Sequence, residues 1–155
     1  MKEEKNPLLR ITKYCAEAER CTKDVLDKLA AWNIKEEEWN PLLEELKKGK
    51  FLDDARYAMS FVSEKWKLNQ WGKIKIRHHM EEKGIPPSLI EPALDSIDSA
   101  EYVQVLHALL TDKWRSIASD PSPSTAQKIA TFAAQRGFEE EVVEEWILQN
   151  DFHLE

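Results

Sequence analysis

The sequence predicts an all-α protein, built as three tandem three-helix repeats that form an elongated, curved array. Three observations carry that prediction. Only four of the 155 residues are Gly, and no long alternating run rich in Val, Ile and Thr occurs, which disfavours sheet. Hydrophobic residues make up 42% of the chain and charged residues 33%, so a core can form while much of each helix faces water. The third observation is an internal repeat. Three helix terminators, Asn33, Gly84 and Gly137, stand 51 and 53 positions apart. Eight residues before them stand Val25, Ile76 and Ile129, and four before stand Leu29, Met80 and Ala133. One after stand Ile34, Ile85 and Phe138. Six after stand Trp39, Ile90 and Val143; nine after, Leu42, Ala93 and Trp146; ten after, Leu43, Leu94 and Ile147. All six offsets are apolar in all three copies, and Pro41 and Pro92 share the position eight after the first two terminators. A repeat of this length signals stacked helical units that bury one another's faces, here bounded at 1–50, 51–97 and 98–155.

Each element has a local cause. Asn6 caps a first helix and Pro7 fits its first turn, after which Leu8, Ile11, Tyr14, Cys15 and Ala18 recur at helical intervals. A break near Cys21-Thr22 opens a second helix with Val25, Leu26 and Leu29 inward. Asn33 ends it, because Asn tolerates the left-handed conformation of a helix C-cap. A third helix carries Trp39, Leu42, Leu43 and Leu46 and is closed by Gly49. Asp53 or Asp54 then caps a helix to about Leu68, with Ala58, Phe61, Val62 and Lys65 on one face and Tyr57 and Leu68 beside them. Gly72 separates it from a helix holding Ile76 and Met80. Gly84 and Ile85-Pro86 lead into another with Leu89, Ile90, Ala93, Leu94 and Ile97. The last copy has one long helix holding Tyr102, Val103, Leu106, Leu109, Leu110, Trp114 and Ile117. A Ser119–Ser124 loop follows, in which Ser122 caps and Pro123 takes the first helical position. The next helix carries Ile129, Phe132 and Ala133 up to Gly137, and a final helix carries Val142, Val143, Trp146 and Ile147.

No apolar run reaches membrane-spanning length, and the start Met-Lys-Glu-Glu-Lys-Asn is no signal peptide, so a soluble cytoplasmic protein is expected. Cys15 and Cys21 read as reduced, buried thiols; they point to different faces, and no His stands near enough to complete a zinc site. The formal charge of -7 is unevenly spread: residues 1–50 sum to zero, 51–85 to +2 and 86–155 to -9. The two ends therefore do not suit the same partner surface.

The segment from Lys65 to His79 holds five basic residues and no acid, with two Trp interleaved. It reads as a patch for phosphates or for an acidic protein surface, or else as a solvated helix face with two core Trp. Of the six Trp, Trp66 and Trp71 are the expected exposed pair. Glu36–Glu38, Glu44-Glu45, Glu139–Glu141 and Glu144-Glu145 read as compensation of helix dipoles. Adjacent His78 and His79 point about 100° apart on a helix and cannot chelate together. Asp53-Asp54 reads as capping rather than a catalytic pair, since no acid–base partner stands nearby. No nucleophile triad, phosphate loop or zinc-protease motif occurs, so neither cofactor nor metal is expected.

The stretch Leu52-Asp53-Asp54-x-Arg56-Tyr57-Ala58 resembles the Leu-Asp-Asp-x-Arg-Phe/Tyr-Ala signature of the RecX regulatory proteins. The segment Gly72-x-x-x-Ile76-x-x-x-Met80-x-x-Lys83-Gly84-Ile85 is similar to that family's next helix pair, and Ile90-x-x-Ala93-Leu94 to its Ile-x-x-Ala-Leu. Arg136-Gly137-Phe138 matches its Arg-Gly-Phe. Cys21-x-x-Asp24-Val25-x-x-Lys28-Leu29 is similar to Ser-x-x-Glu-Leu-x-x-Lys-Leu, with Cys and Asp as departures. The resemblance implies a non-enzymatic modulator that lies in the groove of a RecA–single-stranded DNA filament; a monomer is expected because a repeat array buries its core internally. Such a protein inhibits ATP hydrolysis, strand exchange and the filament's co-protease role in the SOS response. The candidate binding residues are Lys65, Lys67, Trp71, Lys73, Lys75, Arg77 and Lys83. Because the chain is acidic, protein–protein contact is expected to dominate, with single-stranded DNA met only along Lys65, Lys67, Lys73, Lys75 and Arg77. A helical scaffold or nucleic-acid adaptor outside recombination is the alternative.

Overall fold

The computed structural model describes residues 6–117 and 125–150. Among these residues it contains nine α-helices and no strand: α1 (Pro7–Glu17), α2 (Thr22–Ala31), α3 (Trp39–Lys48), α4 (Asp54–Lys67), α5 (Lys73–Glu82), α6 (Pro87–Asp95), α7 (Ser99–Ile117), α8 (Thr125–Arg136) and α9 (Glu140–Gln149). A short 3₁₀ turn, Glu36–Glu38, leads into α3. The expected Ser119–Ser124 loop, with its Ser122 cap and Pro123, lies outside the described residues.

Helix ends follow the local chemistry. The Asn6 side chain accepts from the amides of Leu8 at 3.0 Å and Leu9 at 3.3 Å, with Pro7 at the first helical position. Cys21 precedes α2, and its amide donates to Asp24 Oδ2 at 3.2 Å, the reciprocal half of a capping box. The three aligned terminators all have positive φ: 59° at Asn33, 73° at Gly84 and 91° at Gly137. Around each, the same pair of bonds closes the helix. The terminator's own amide donates three residues back, Asn33 to Ala30 at 3.0 Å, Gly84 to Glu81 at 2.9 Å and Gly137 to Ala134 at 3.0 Å. The next amide donates five back, Ile34 to Leu29 at 3.0 Å, Ile85 to Met80 at 3.1 Å and Phe138 to Ala133 at 3.1 Å. This is the Schellman motif, in which an apolar contact accompanies the longer bond. The sequence offsets four before and one after each terminator are therefore the two residues that this bond joins.

Helix α3 departs from expectation. Gly49, expected to close it, has φ -80°, and the left-handed residue is Lys50 at φ 63°. The same two bonds appear one position later than expected, Lys50 to Lys47 at 3.0 Å and Phe51 to Leu46 at 2.8 Å. Pro41 falls in the first turn of α3, where its missing amide has no intrahelical partner to lose. Pro92 lies inside α6 and leaves the carbonyl of exposed Ser88 without its helical donor.

Tertiary contacts divide the chain into two compact units, one from Met1–Phe61 with Met80–Ala93, the other from Val62–His79 with Leu94–Glu155. In the first, α1, α2 and α3 pack on one another around buried Ile11, Cys15, Val25, Leu29, Leu43, Leu46 and Leu52. Half-buried Trp32, Ile34, Trp39 and Leu42 border this core. Each fully buried aliphatic side chain here contributes about 1.5–3 kcal/mol. Cys15 and Cys21 are free thiols within the packed interior. Burial pushes the Cys21 thiol up to about 11, so it stays protonated and unreactive at neutral pH. In the second unit α7, α8 and α9 pack mutually, with Leu106, Leu110, Ile129, Ala133, Val143, Trp146 and Ile147 buried. No described helix is long and apolar enough to cross a membrane.

Two further expectations fail. Trp66 is buried rather than exposed, because its ring packs at 5.1 Å against Tyr102, which in turn packs at 5.4 Å against Phe138. Leu68, expected beside the buried stripe of α4, stands past the end of that helix and is 80% exposed.

Candidate functional site

The Leu52–Ala58 segment is a joint. Leu52, Tyr57 and Ala58 are buried, and the Tyr57 ring stacks on Phe61 at 5.9 Å. The two aspartates divide their work. Asp53 caps its own helix by accepting from the Arg56 amide at 3.1 Å. Asp54 reaches a different helix: its carboxylate accepts from the Thr22 amide at 2.8 Å and the Thr22 hydroxyl at 2.9 Å, at the start of α2. Arg56 grips the Glu19 carboxylate through Nε at 2.6 and 3.0 Å and donates Nη1 to the Lys50 carbonyl at 3.0 Å. Asp53 thus has the role the sequence assigned to it, whereas Asp54, expected as a cap of its own helix, closes the start of α2 instead.

The basic segment occupies the end of α4, the 68–72 link and α5. Gln70, at φ 55°, turns the chain there, and the Trp71 amide donates to the Lys65 carbonyl at 3.0 Å. That turn sets the half-buried Trp71 ring among three bases. Lys65 Nζ lies 4.9 Å and Lys75 Nζ 4.3 Å from the ring centroid, and the His79 ring lies 4.7 Å away. Lys75 and His79 are one turn apart on α5, so both meet the same ring. Lys65 also stands 3.9 Å from Glu64. Lys73 Nζ sits 5.0 Å over the Tyr102 ring. Lys67 is exposed and Arg77 half-buried. The structure therefore gathers Lys65, Trp71 and Lys75 into one cluster, with Lys73 over a neighbouring aromatic. Lys83 belongs to the other unit, where its Nζ pairs with Asp24 at 2.6 Å. Burial works to raise the Asp24 carboxyl, but the Lys83 and Cys21 hydrogen bonds outweigh it and hold it below its ordinary value.

What holds the cluster in place is a second joint, and here the glycine motifs meet. The Gly72 amide donates to the Arg136 carbonyl at 2.7 Å, and the Ile74 amide to the Gly137 carbonyl at 2.9 Å. Between them the Lys73 amide donates to the Tyr102 hydroxyl at 2.9 Å. Three successive amides at the start of α5, which no intrahelical carbonyl can satisfy, are closed by residues from α7 and the end of α8. The approach is close: a Cβ on Gly72 would lie 2.3 Å from the Gly137 carbonyl carbon and oxygen, and one on Gly137 would lie 2.2 Å from Lys75 Cβ. Arg136 returns the contact, donating Nη1 to the carbonyls of Asn69 at 3.1 Å and Gln70 at 3.4 Å. The Tyr102 hydroxyl donates to Glu139, and burial, then that bond, raises its pKa, keeping the phenol neutral. Sequence reasoning missed Tyr102 and Glu139 as joint residues, since only the fold brings the hydroxyl between Lys73 and Glu139.

The cluster offers cations on a fixed ring and no acid–base pair. Among the described residues, no group of three or more His, Cys, Asp or Glu could hold a metal ion. The Lys65 and Lys75 ammonium groups both lie within cation–π distance of the Trp71 ring.

Comparison with known proteins identifies the lineage. Residues 53–94 match the family model for the second three-helix domain of RecX. A regulatory protein RecX of Oceanobacillus iheyensis is 30% identical over 132 residues, covering 85% of this chain and 48% of that protein. One of Prosthecochloris aestuarii is 27% identical over 136 residues and covers 88% of this chain and 87% of its own length. The chain thus spans about half the length of the Oceanobacillus relative and most of the Prosthecochloris one. A crystal structure of a regulatory protein RecX superposes with a TM-score of 0.82 at 27% identity, covering 90% of this chain and 70% of that one. RecX from Lactobacillus salivarius, at 22% identity and a TM-score of 0.84, shares the fold over 95% of this chain and 96% of its own. With the Leu52–Ala58 joint and the Gly72–Gly137 joint falling on residues that carry the signature, the chain belongs to the RecX family of regulatory proteins.

Proposed function

We propose that this chain binds the RecA–single-stranded DNA filament in the cytoplasm and inhibits recombinase ATP hydrolysis, strand exchange and co-protease activity. It acts as a binding regulator rather than an enzyme, and as a monomer of three tandem repeats, 1–50, 51–97 and 98–155. The observation that carries the reading is the cluster of Lys65 and Lys75 on Trp71 in a chain of the RecX family. Cations held on a ring lose less freedom when an anionic surface docks; Lys67 adds charge at the end of α4, and Lys73 and Arg77 extend it along α5. The three repeated Schellman ends support a tandem repeat.

The test is ATP hydrolysis by the recombinase of the same organism on single-stranded DNA, with this protein added below stoichiometry. Inhibition at low ratios supports action on filament ends or dynamics. Absence of inhibition by folded protein moves the function to a helical scaffold outside recombination. Reversing Lys67, Lys75 and Arg77 to Glu is expected to weaken filament binding at least tenfold while the helical signal stays unchanged; unchanged binding removes the cluster from the interface.

A further inference from the structure

A second set of cations lies in the first unit, on α1, α2 and the link between them; of these only Lys28 falls in a stretch similar to the family's, and none falls in the basic segment. Two aromatic rings string three cations in a row. Arg10 Cζ lies 4.0 Å over the Trp32 ring, Lys28 Nζ lies 5.8 Å from Trp32 and 5.1 Å from Tyr14, and Arg20 Cζ lies 3.9 Å over Tyr14. The order is therefore Arg10, Trp32, Lys28, Tyr14, Arg20, with Lys28 shared by both rings. Lys13, exposed, joins them in lining an open cleft of about 390 Å³, and Glu17 is the single acid in its wall.

Helix geometry explains the gathering. Arg10, Lys13, Tyr14 and Glu17 recur three and four apart along one face of α1, and Lys28 and Trp32 stand four apart at the end of α2. Among the described residues none of Arg10, Lys13, Arg20 and Lys28 forms an ion pair. Elsewhere in the same unit Lys23, Arg56 and Lys83 are each paired with a carboxylate. Cations grouped this closely repel one another, and in a chain of net charge -7 a cleft that keeps four of them with one acid is a place where an anion is favoured.

We propose that this cleft binds successive phosphates of a single-stranded nucleic acid. With their Cζ atoms about 4 Å over a ring, the Arg10 and Arg20 guanidiniums are held in place, and a guanidinium presents the N–H fork that takes a phosphate oxygen pair. Arg20 is further fixed, donating Nε to the Tyr14 carbonyl at 3.2 Å. A row of cations interleaved with aromatic faces fits a strand with a regularly repeated charge and stackable bases better than it fits isolated carboxylates. The site is a nucleic-acid contact of the first unit, separate from the one proposed for Lys65–Arg77, and it stands independently of any action on a recombinase.

The test is anisotropy of a labelled oligothymidine titrated with the full chain at a series of salt concentrations, with no recombinase present. Arg10→Gln combined with Lys28→Gln is expected to weaken binding about tenfold and to reduce the slope of log affinity against log salt by about 1.4, since each single-strand phosphate contact contributes about 0.7. Lys28→Arg is expected to bind within about twofold of the parent, as a charge-carrying role demands. Lys13→Gln, an exposed change outside both ring stacks, is expected to lower the slope by about 0.7 and keeps the test open if the double variant loses helicity. Unchanged slopes in these variants, or no oligothymidine binding by the parent, overturn the proposal. So does displacement of the oligonucleotide by polyglutamate as readily as by unlabelled strand, which makes the cleft a site for acidic protein segments.

Discussion

In the first unit the start of α2 is closed by a side chain: the Asp54 carboxylate takes the Thr22 amide and hydroxyl at 2.8 and 2.9 Å. In the second unit the start of α5 is closed by neutral acceptors: the carbonyls of Arg136 and Gly137 and the Tyr102 hydroxyl, at 2.7 to 2.9 Å. Both joints satisfy orphan amides from a distance in sequence, but their demands differ. A carboxylate on a side chain reaches across a gap, adds charge at the positive end of a helix, and places no limit on Cβ atoms at the contact. Backbone acceptors require the two chains to touch, so they require two missing side chains. The ionic joint is surrounded by further ion pairs, Arg56 with Glu19 and Lys83 with Asp24. The charged side chains of the backbone joint meet neutral groups: Glu139 accepts from the Tyr102 hydroxyl, and Arg136 donates to the Asn69 and Gln70 carbonyls. The same problem of helix closure thus leaves one unit sensitive to charge and the other sensitive to volume.

The largest expected effect is on volume. Gly72→Ala puts a methyl 2.3 Å from the Gly137 backbone and forces α5 away from the end of α8, breaking two hydrogen bonds. A loss above about 4 kcal/mol is expected in urea unfolding, an exceptional value for a single methyl. Gly84→Ala is the internal control. Gly84 also has positive φ, but nothing lies within 4 Å of its added Cβ, so only the left-handed penalty of about 1–2 kcal/mol applies. Equal losses for the two variants break the comparison, because the close approach would then impose no special demand.

Next come the hydrogen-bonding groups of each joint. Tyr102→Phe removes the hydroxyl between the Lys73 amide and Glu139, and leaving both unpaired is expected to cost about 1–3 kcal/mol. Asp54→Ala removes the closure of α2 and is expected to cost about 1–2 kcal/mol, with Asp54→Asn in between because its amide oxygen still accepts. The Lys83–Asp24 pair sharpens the contrast through pH. Against burial, which favours its neutral form, Asp24 is held below its ordinary value by Lys83 and Cys21. Its contribution is therefore present above the unfolded carboxyl pKa of about 3.9 and is lost as pH falls through the lower folded value. Lys83 is raised, chiefly by its bond to Asp24, so its contribution is present below about 10.4 and is lost as pH rises through the higher folded value. Lys83→Met is expected to cost about 1–2 kcal/mol at neutral pH and to flatten the acid limb of a stability profile. A profile of unchanged shape means the pair adds nothing to the first unit.

How much of this was legible depends on the range of the interaction. The helices, the three left-handed terminators and the repeated apolar offsets were readable because capping and helical periodicity act within a few residues. Asp53 was readable as a cap for the same reason. Asp54 was not, since its partner Thr22 is remote in sequence and carries no mark of the contact. Gly72 looked like a separator and Gly137 like a terminator, and each plays that part; that they also touch is a property of the fold. Trp66 was misread because interleaving with lysines says nothing about where an indole points, whereas Tyr102 and Phe138 supply the aromatic row that buries it. The charges of residues 1–50 summed to zero, and that sum concealed a cleft in which bases outnumber the single acid.

The smallest effect concerns Lys50, where the reading of Gly49 as terminator and the structure diverge by one position. At φ 63° Lys50 carries a Cβ in a conformation that disfavours one, while its amide and that of Phe51 make the two bonds that end α3. Its carbonyl is the acceptor for Arg56 Nη1 at 3.0 Å, so the backbone at this point serves the ionic joint, and the side chain, which is exposed, does not. Lys50→Gly keeps every one of those backbone bonds and relieves the strain, at the cost of a more flexible unfolded chain. The balance at a left-handed position favours glycine by about 0.5–1 kcal/mol. The expected result is a small rise in the urea midpoint with an unchanged slope. A fall in midpoint instead shows that the Lys50 side chain contributes to the joint, and the first unit then depends on charge at one more position than its ion pairs reveal.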